Sequence, residues 1–89
     1  MISHTNKNFW KLYKKLPKDI REIAKKQYNI FSNDPYHASL HFKSVHTNKP
    51  IYSARVTKDY RTLGILNKNI IIWFWIGSHR DYEKLLKIK

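Results

Sequence analysis

Apolar residues near the start of the chain recur with the period of a helix. Four of them occupy positions i, i+3, i+4 and i+7, namely Phe9, Leu12, Tyr13 and Leu16. This spacing places their side chains on one face of an α-helix. Pro17 follows, and because the residue before a proline avoids helical backbone angles, we expect this first helix to end near Leu16.

A second helix is predicted from Pro17 onward. Proline suits the first turn of a helix, and Asp19 and Glu22 would lie near the positive end of its dipole. The turn-forming residues 32–35 end the pattern. One face of this helix is lined by Ile20, Ile23, Ala24, Gln27 and Phe31, and lysines cover the rest. The two segments together predict a basic helical hairpin with one apolar stripe.

The period then changes to two, which is typical of strands. Polar residues at 67–69 suit a tight turn. The predicted strands span residues 40–45, 51–56, 61–66 and 70–76.

The last of these strands is apolar on both faces, as expected for a central strand. Strict alternation would put Trp73 and Trp75 on the same side, as core or interface residues, and Phe74 on the other. Ser78 can then cap a short helix, with Asp81 in its first turn.

Helices that precede an antiparallel sheet indicate an α+β fold. We therefore predict an N-terminal helical hairpin packed on a sheet of about four antiparallel strands, followed by a short C-terminal helix. Residues 1–89 would form one domain, in which residues 1–7 are either loose or a short edge strand.

The charge of the chain adds a class of partner. Its 89 residues include 18 Lys and Arg against six Asp and Glu, a net charge of +12. Such an excess favours a polyanionic partner, either nucleic acid or an acidic protein. The absence of cysteine excludes disulfides and thiolate catalysis. The first residues have no signal-peptide pattern and no apolar run reaches the ~20 residues of a membrane helix, so we expect a soluble, cytoplasmic protein.

Two arginines carry the candidate chemistry. Arg55 and Arg61 are six residues apart around a predicted strand pair, so regular pairing would point both side chains to one face. His79 follows the last strand. Two permanent cations and a titratable imidazole on one surface suit the chemistry of a phosphodiester.

Several segments in this order resemble the RelE/ParE superfamily of bacterial type II toxins, in particular its ParE-like and HigB-like members. The resemblance covers roughly residues 8–86. It rests on Lys-Lys-Leu-Pro at 14–17, Ser-Ala-Arg-Val at 53–56, Tyr-Arg at 60–61, Ile-Ile-Ile-Trp-Phe-Trp-Ile-Gly-Ser-His at 70–79 and Asp-Tyr at 81–82. It implies a compact α+β fold, a site on the concave face of the sheet and a cognate antitoxin, which the charge predicts to be acidic.

The resemblance also implies roles for individual residues. Arg55 and Arg61 match arginines of the nuclease branch and would stabilise the phosphate, with a surface ion pair to Asp59 or Asp81 as the structural alternative. His79 would act as acid or base, or else simply fill the start of the last helix. Tyr82 would stack on a base or orient the phosphate, or else pack against the sheet.

Three further residues, Lys43, Lys58 and His41, are predicted to contact nucleic acid. Residues 35–58 contain no acid, which disfavours a carboxylate base and leaves histidine or lysine. His37 and His41 have no evident third ligand nearby, so neither a metal nor another cofactor is predicted.

Three functions remain open from the sequence. The first is a metal-independent mRNA endonuclease that acts on the ribosome and inhibits translation. The second is a ParE-type inhibitor of DNA gyrase, which would need no acid or base. The third is a toxin-like module that binds nucleic acid or antitoxin without catalysis. The first would lose its mechanism if His79 were buried and far from both arginines.

Overall fold

The computed structural model describes residues 1–88, with side chains through residue 87. Three helices and five strands follow one another in the order β1 (Ile2–Thr5), α1 (Lys7–Tyr13), α2 (Lys18–Asn33), β2 (Lys43–Ser44), β3 (Ile51–Thr57), β4 (Tyr60–Asn67), β5 (Ile70–Ser78) and α3 (His79–Ile88). The predicted α+β class is confirmed. None of the helices within residues 1–88 is both long enough and apolar enough to span a membrane.

The sheet has five strands in the order β1-β5-β4-β3-β2, one more than predicted. The extra strand is β1, which pairs in parallel with β5, so the sheet is mixed rather than purely antiparallel. Of the two alternatives for residues 1–7, the edge strand is therefore the correct one. Its main-chain groups pair with the outer edge of β5, beginning with Ile2 opposite Ile70.

The helical hairpin lies on one face of the sheet, where α1 packs on β5 and α2 on β3. Helix α1 ends at Tyr13, three residues earlier than predicted. The amides of Lys15 and Leu16 instead bond to carbonyls three residues back, in a tight turn that still buries Leu16. Pro17 forms the N-cap of α2.

The predicted strand at residues 40–45 is largely wrong. Ala38–Leu40 form a 3₁₀ turn, which buries Leu40 in the core. His41 then adopts the left-handed conformation, with φ of 46°. Because that conformation breaks an extended chain, only Lys43–Ser44 remain as β2.

A β-bulge interrupts the alternation of β5. Leu63 pairs with Trp75, but the next residue of β4, Gly64, pairs with Trp73, so Phe74 is the extra residue. The bulge puts Trp73 on the helical side with Ile76, whereas Trp75 lies on the opposite face. The predicted common face for Trp73 and Trp75 is therefore wrong, and Trp73 is the buried one.

Gly64 is closely packed against core side chains on the face of the sheet that the helical hairpin covers. A Cβ atom at this position would lie 2.8 Å from Cε3 of Trp73 and 2.9 Å from Cγ1 of Ile71. Gly64→Ala is expected to lower the free energy of unfolding by about 1–3 kcal/mol, because both neighbours are fixed in the core. Urea denaturation measures this, and Ile71→Val in the same chain should recover part of the loss. An unchanged urea midpoint would show that Trp73 and Ile71 can move to make room for the added methyl group.

Candidate functional site

The two arginines lie side by side on the sheet. Arg55 of β3 pairs directly with Arg61 of β4, and Arg61 pairs with Gly77 of β5. Opposed residues of an antiparallel pair project from the same face. That face, against which α3 packs, lies opposite the helical hairpin and is called the α3 face below. The structure thus brings both predicted cations together on one surface.

The guanidinium of Arg61 is buried and held from several sides. Arg61 is only 8% exposed, and its Nε donates a hydrogen bond of 2.7 Å to the Oγ of Ser53. Its Nη2 points to the backbone carbonyl of His41 at 3.5 Å. The centre of the guanidinium lies 5.2 Å from the centre of the Tyr82 ring, within cation–π distance. The cation is therefore fixed in position before any ligand binds.

In the described part of the chain, no carboxylate compensates this buried charge. Within residues 1–88, neither Arg55 nor Arg61 forms an ion pair, so the predicted alternative of a pair with Asp59 or Asp81 is not found. Desolvation by burial lowers the pKa of Arg61; Tyr82 opposes this shift, and the charge of Arg55 adds to it. A buried cation is normally paired. An unpaired one at the surface of a sheet is suited to bind an external anion.

Tyr82 connects the arginines to His79. Its ring is buried against the sheet and stacks on the imidazole of His79, with ring centres 5.5 Å apart. Because the same ring contacts Arg61, little of its surface is left for a nucleobase. Of the alternatives predicted for Tyr82, packing against the sheet is what the structure shows, and a buried ring is poorly placed to stack on a base.

His79 is the first residue of α3, where the amide of His79 donates to the carbonyl of Asp59 at 2.6 Å. Its side chain is 44% exposed, and its Nε2 lies 3.7 Å from a carboxylate oxygen of Glu83. Its Nδ1 is buried and has no hydrogen-bond partner among residues 1–88. Proton exchange with a ligand must therefore use Nε2. The imidazole of His79 is therefore not buried, and it stacks on the same ring that contacts Arg61.

The three predicted nucleic-acid contacts lie at different distances from this centre. Lys43 pairs with Ser53, so it extends from the α3 face one row away from the arginines. Lys58 is exposed in the turn between β3 and β4, next to the start of α3. The His41 side chain is exposed, whereas its carbonyl faces Arg61. Among the described residues, no three potential ligands of the His, Cys, Asp or Glu type cluster as a metal site would need.

Ser53 is the residue that sequence reasoning missed. It is fully buried, and its hydroxyl accepts the Nε–H of Arg61. The available signal was the alternation of β3, which places Ser53 on the same face as Arg55, two residues later. A lone serine on a face shared with arginine is a candidate partner for a guanidinium on the next strand.

Stability measurements can test whether the buried cation is a cost to the fold. Ser53→Ala alone is expected to destabilise by about 1–3 kcal/mol, because Nε loses its acceptor. Ser53→Ala with Arg61→Met removes both groups and should be neutral or stabilising, by up to about 4 kcal/mol. Burial lowers the pKa of Arg61, which means that folding destabilises its charged form. This destabilisation is present at every pH below that pKa, neutral pH included.

Thermal and urea unfolding of the two variants beside the wild type measures both effects. A double variant less stable than Ser53→Ala would show that Arg61 stabilises the fold.

Comparison with known proteins gives a consistent result. Residues 18–84 match the family model of the ParE-like toxin domain. Comparison with curated protein sequences finds no match.

Several solved structures share the fold. RelE of the RelB–RelE antitoxin–toxin complex from Methanococcus jannaschii superposes with a TM-score of 0.75 at 20% identity, over 92% of this chain and 96% of that chain. YafQ from Escherichia coli strain BL21(DE3) has a TM-score of 0.72 at 16% identity, over 90% and 94%. The YoeB/ParE toxin from Agrobacterium tumefaciens has a TM-score of 0.69 at 12% identity, over 89% and 99%. At these identities the likeness establishes the fold.

Proposed function

The chain belongs to the ParE-like toxin family, within the RelE/ParE superfamily of type II toxins. We propose that it is a metal-independent mRNA endonuclease that acts on the ribosome and inhibits translation. The observation that carries the proposal is the fixed, unpaired guanidinium of Arg61 beside Arg55, linked through Tyr82 to His79. This arrangement offers an anion site next to a group that can transfer protons.

The reaction would be attack of a ribose 2′-oxygen on the adjacent phosphorus. The bond from the 2′-oxygen to phosphorus forms and the bond from phosphorus to the 5′-oxygen breaks, which leaves a 2′,3′-cyclic phosphate and a 5′-hydroxyl. One proton leaves the 2′-hydroxyl and one reaches the 5′-oxygen. In between, the phosphorane carries an additional negative charge that must be stabilised.

Arg61 is placed to stabilise that charge. Two of its three nitrogens are engaged by Ser53 and by the carbonyl of His41, so the guanidinium is held in one orientation beside Arg55. Arg55, which is only half-buried, supplies the second cation. Fixed cations of this kind need no reorganisation during the reaction, and they are often the largest single catalytic contribution.

His79 would transfer one of the two protons through Nε2, its accessible nitrogen. Tyr82 would set the positions of both Arg61 and His79, without contact with the reacting atoms. Lys43, Lys58 and His41 would hold the RNA backbone on either side of the cleaved bond. No acidic side chain is needed as the base in this scheme.

We further propose that a cognate antitoxin covers this surface. The α3 face continues from the arginines into an exposed apolar area that includes Ile65, Ile72 and Leu85. A groove beside it is bordered by His46 and Lys49. An acidic amphipathic segment would match both the apolar area and the surrounding positive charge. Such a segment would neutralise the toxin by occupying the place of the phosphate.

Inhibition of DNA gyrase is the second candidate, and the match to a ParE-like family model favours it. The two functions differ in what they require of the site, since a gyrase inhibitor needs no acid or base. A third candidate, a module that binds without catalysis, would inhibit neither process. Induced expression in bacteria, with mRNA cleavage and plasmid supercoiling followed in parallel, separates all three. Intact mRNA together with a DNA damage response would overturn the nuclease proposal.

A further inference from the structure

An exposed tryptophan on the helical hairpin is held in a fixed orientation. Trp10 of α1 is 46% exposed. Its ring nevertheless packs edge-on against Phe9 and Tyr13, with ring centres 5.2 Å apart in both pairs. Its Nε1 donates to the Oγ of Thr5 at 2.8 Å. An exposed aromatic side chain with three such restraints has already lost the freedom that binding a ligand would otherwise remove.

Trp10 borders a groove between α1 and α2 of about 250 Å³. Tyr28, which is 39% exposed, lies on the α2 side of this groove, together with Lys25 and Asn29. Aromatic rings, an amide and an ammonium group thus line one recess. Because the hairpin covers the face of the sheet opposite α3, this recess is separate from the Arg61 site.

Positive charge surrounds the groove. Residues 7–29 include eight Lys and Arg but only two acids, Asp19 and Glu22. Lys7 of α1 and Lys14, the C-cap of that helix, lie three residues before and four residues after Trp10, which puts them on the same side of the helix. On α2, Lys25 precedes Tyr28 by three residues and shares its face.

We propose that the groove between α1 and α2 binds an unpaired RNA nucleotide, with its base stacked on Trp10 and Tyr28 and the flanking phosphates held by Lys7, Lys14 and Lys25. Aromatic rings bordered by cations are the usual means of holding single-stranded nucleic acid. The charge also favours RNA over a protein partner, because the surroundings of this aromatic-lined recess are strongly basic. This site would hold RNA away from the Arg61 site, and it does not depend on cleavage.

The test is binding of a short, unstructured 2′-O-methyl oligoribonucleotide, which cannot be cleaved because its 2′-oxygens are blocked. Fluorescence anisotropy gives its affinity for the full chain carrying Arg61→Met, so that the candidate active site contributes as little as possible. Trp10→Leu keeps the apolar volume but removes the aromatic face. Trp10→Phe keeps an aromatic face, and Tyr36→Leu alters an exposed tyrosine outside the groove.

Trp10→Leu is expected to weaken binding about 5- to 150-fold, the range measured for the loss of one stacked base. Tyr36→Leu should remain near the parent, and Trp10→Phe, which keeps an aromatic face but loses the bond to Thr5, should bind more tightly than Trp10→Leu. An oligomer of the same length with abasic sites keeps the phosphates but not the bases, so Trp10→Leu should not affect its binding. Thermal unfolding confirms that each variant is folded.

Equal losses on the intact and the abasic oligomer would overturn the proposal, since the contribution of Trp10 would then not depend on a base. Unchanged affinity of folded Trp10→Leu would overturn it as well, and would leave the groove to a protein partner. Both results are independent of whether the chain cleaves mRNA.

Discussion

Arg61→Met is expected to slow mRNA cleavage about 10²- to 10³-fold, the usual cost of removing one preorganised donor from a transition state. The variant loses the guanidinium that Ser53 and Tyr82 hold in place, and Arg55, which is half-buried, occupies a different position on the neighbouring strand. Arg61→Lys should fail almost as severely, because an ammonium group cannot bond Ser53 and a phosphate oxygen in the planar geometry of a guanidinium. Single-turnover cleavage on purified ribosomes measures the rate.

The loss must come from chemistry and not from misfolding. Arg61→Met combined with Ser53→Ala is the suitable control. This double variant is expected to be at least as stable as the wild type and as inactive as Arg61→Met alone. A stable double variant that still cleaves at the wild-type rate would remove Arg61 from the mechanism. A rate restored by Arg61→Lys would show that charge alone is sufficient.

His79→Ala is expected to slow cleavage about 10²- to 10⁴-fold, the contribution typical of a positioned acid or base. The competing interpretation is that His79 only supports Tyr82 by stacking. His79→Phe separates the two, since it keeps an aromatic ring against Tyr82 but cannot transfer a proton. We expect His79→Phe to be as slow as His79→Ala.

The dependence of the rate on pH gives a second readout of His79. If His79 transfers a proton in the rate-limiting step, the wild-type rate should depend on pH and the His79→Phe rate should lose that dependence. A fast His79→Phe enzyme with an unchanged pH profile would assign the proton transfer to another group.

Much of the fold was predictable because its signals are local. The helical period and Pro17 identified the hairpin, alternation identified β3 and β4, and Ser78 caps α3 through the amide of Asp81 as expected. The missed features depend on contacts distant in sequence. Strand β1 is four residues of mixed polarity that become a strand only by pairing with β5.

Two errors came from single residues that break a regular pattern. His41 adopts a left-handed backbone conformation, which could not be predicted from the residue type. This conformation shortens β2. Phe74 forms a bulge opposite a crowded glycine, Gly64, and shifts the later residues of β5 by one face. Strict alternation therefore predicted the position of β5 along the chain correctly. It was wrong in placing Trp75 on the same face of the sheet as Trp73.

The candidate site was predictable to a similar extent. Alternation and strand pairing placed Arg55 and Arg61 on one face, as the structure has them. The burial of Arg61 was not predictable, because it depends on a diagonal contact with Ser53 and on where α3 sets Tyr82. These contacts are the reason why we propose a positioning role for Tyr82 in place of base stacking.

The most direct test of the central claim uses purified ribosomes carrying a defined mRNA, with the purified protein and its Arg61→Met variant. Primer extension locates any cleavage, and the 3′ end of the upstream fragment is analysed chemically. The account predicts cleavage by the wild-type protein that leaves a 2′,3′-cyclic phosphate, with little or none by the variant. Intact mRNA with the wild-type protein, under conditions where the same preparation inhibits gyrase, would contradict it.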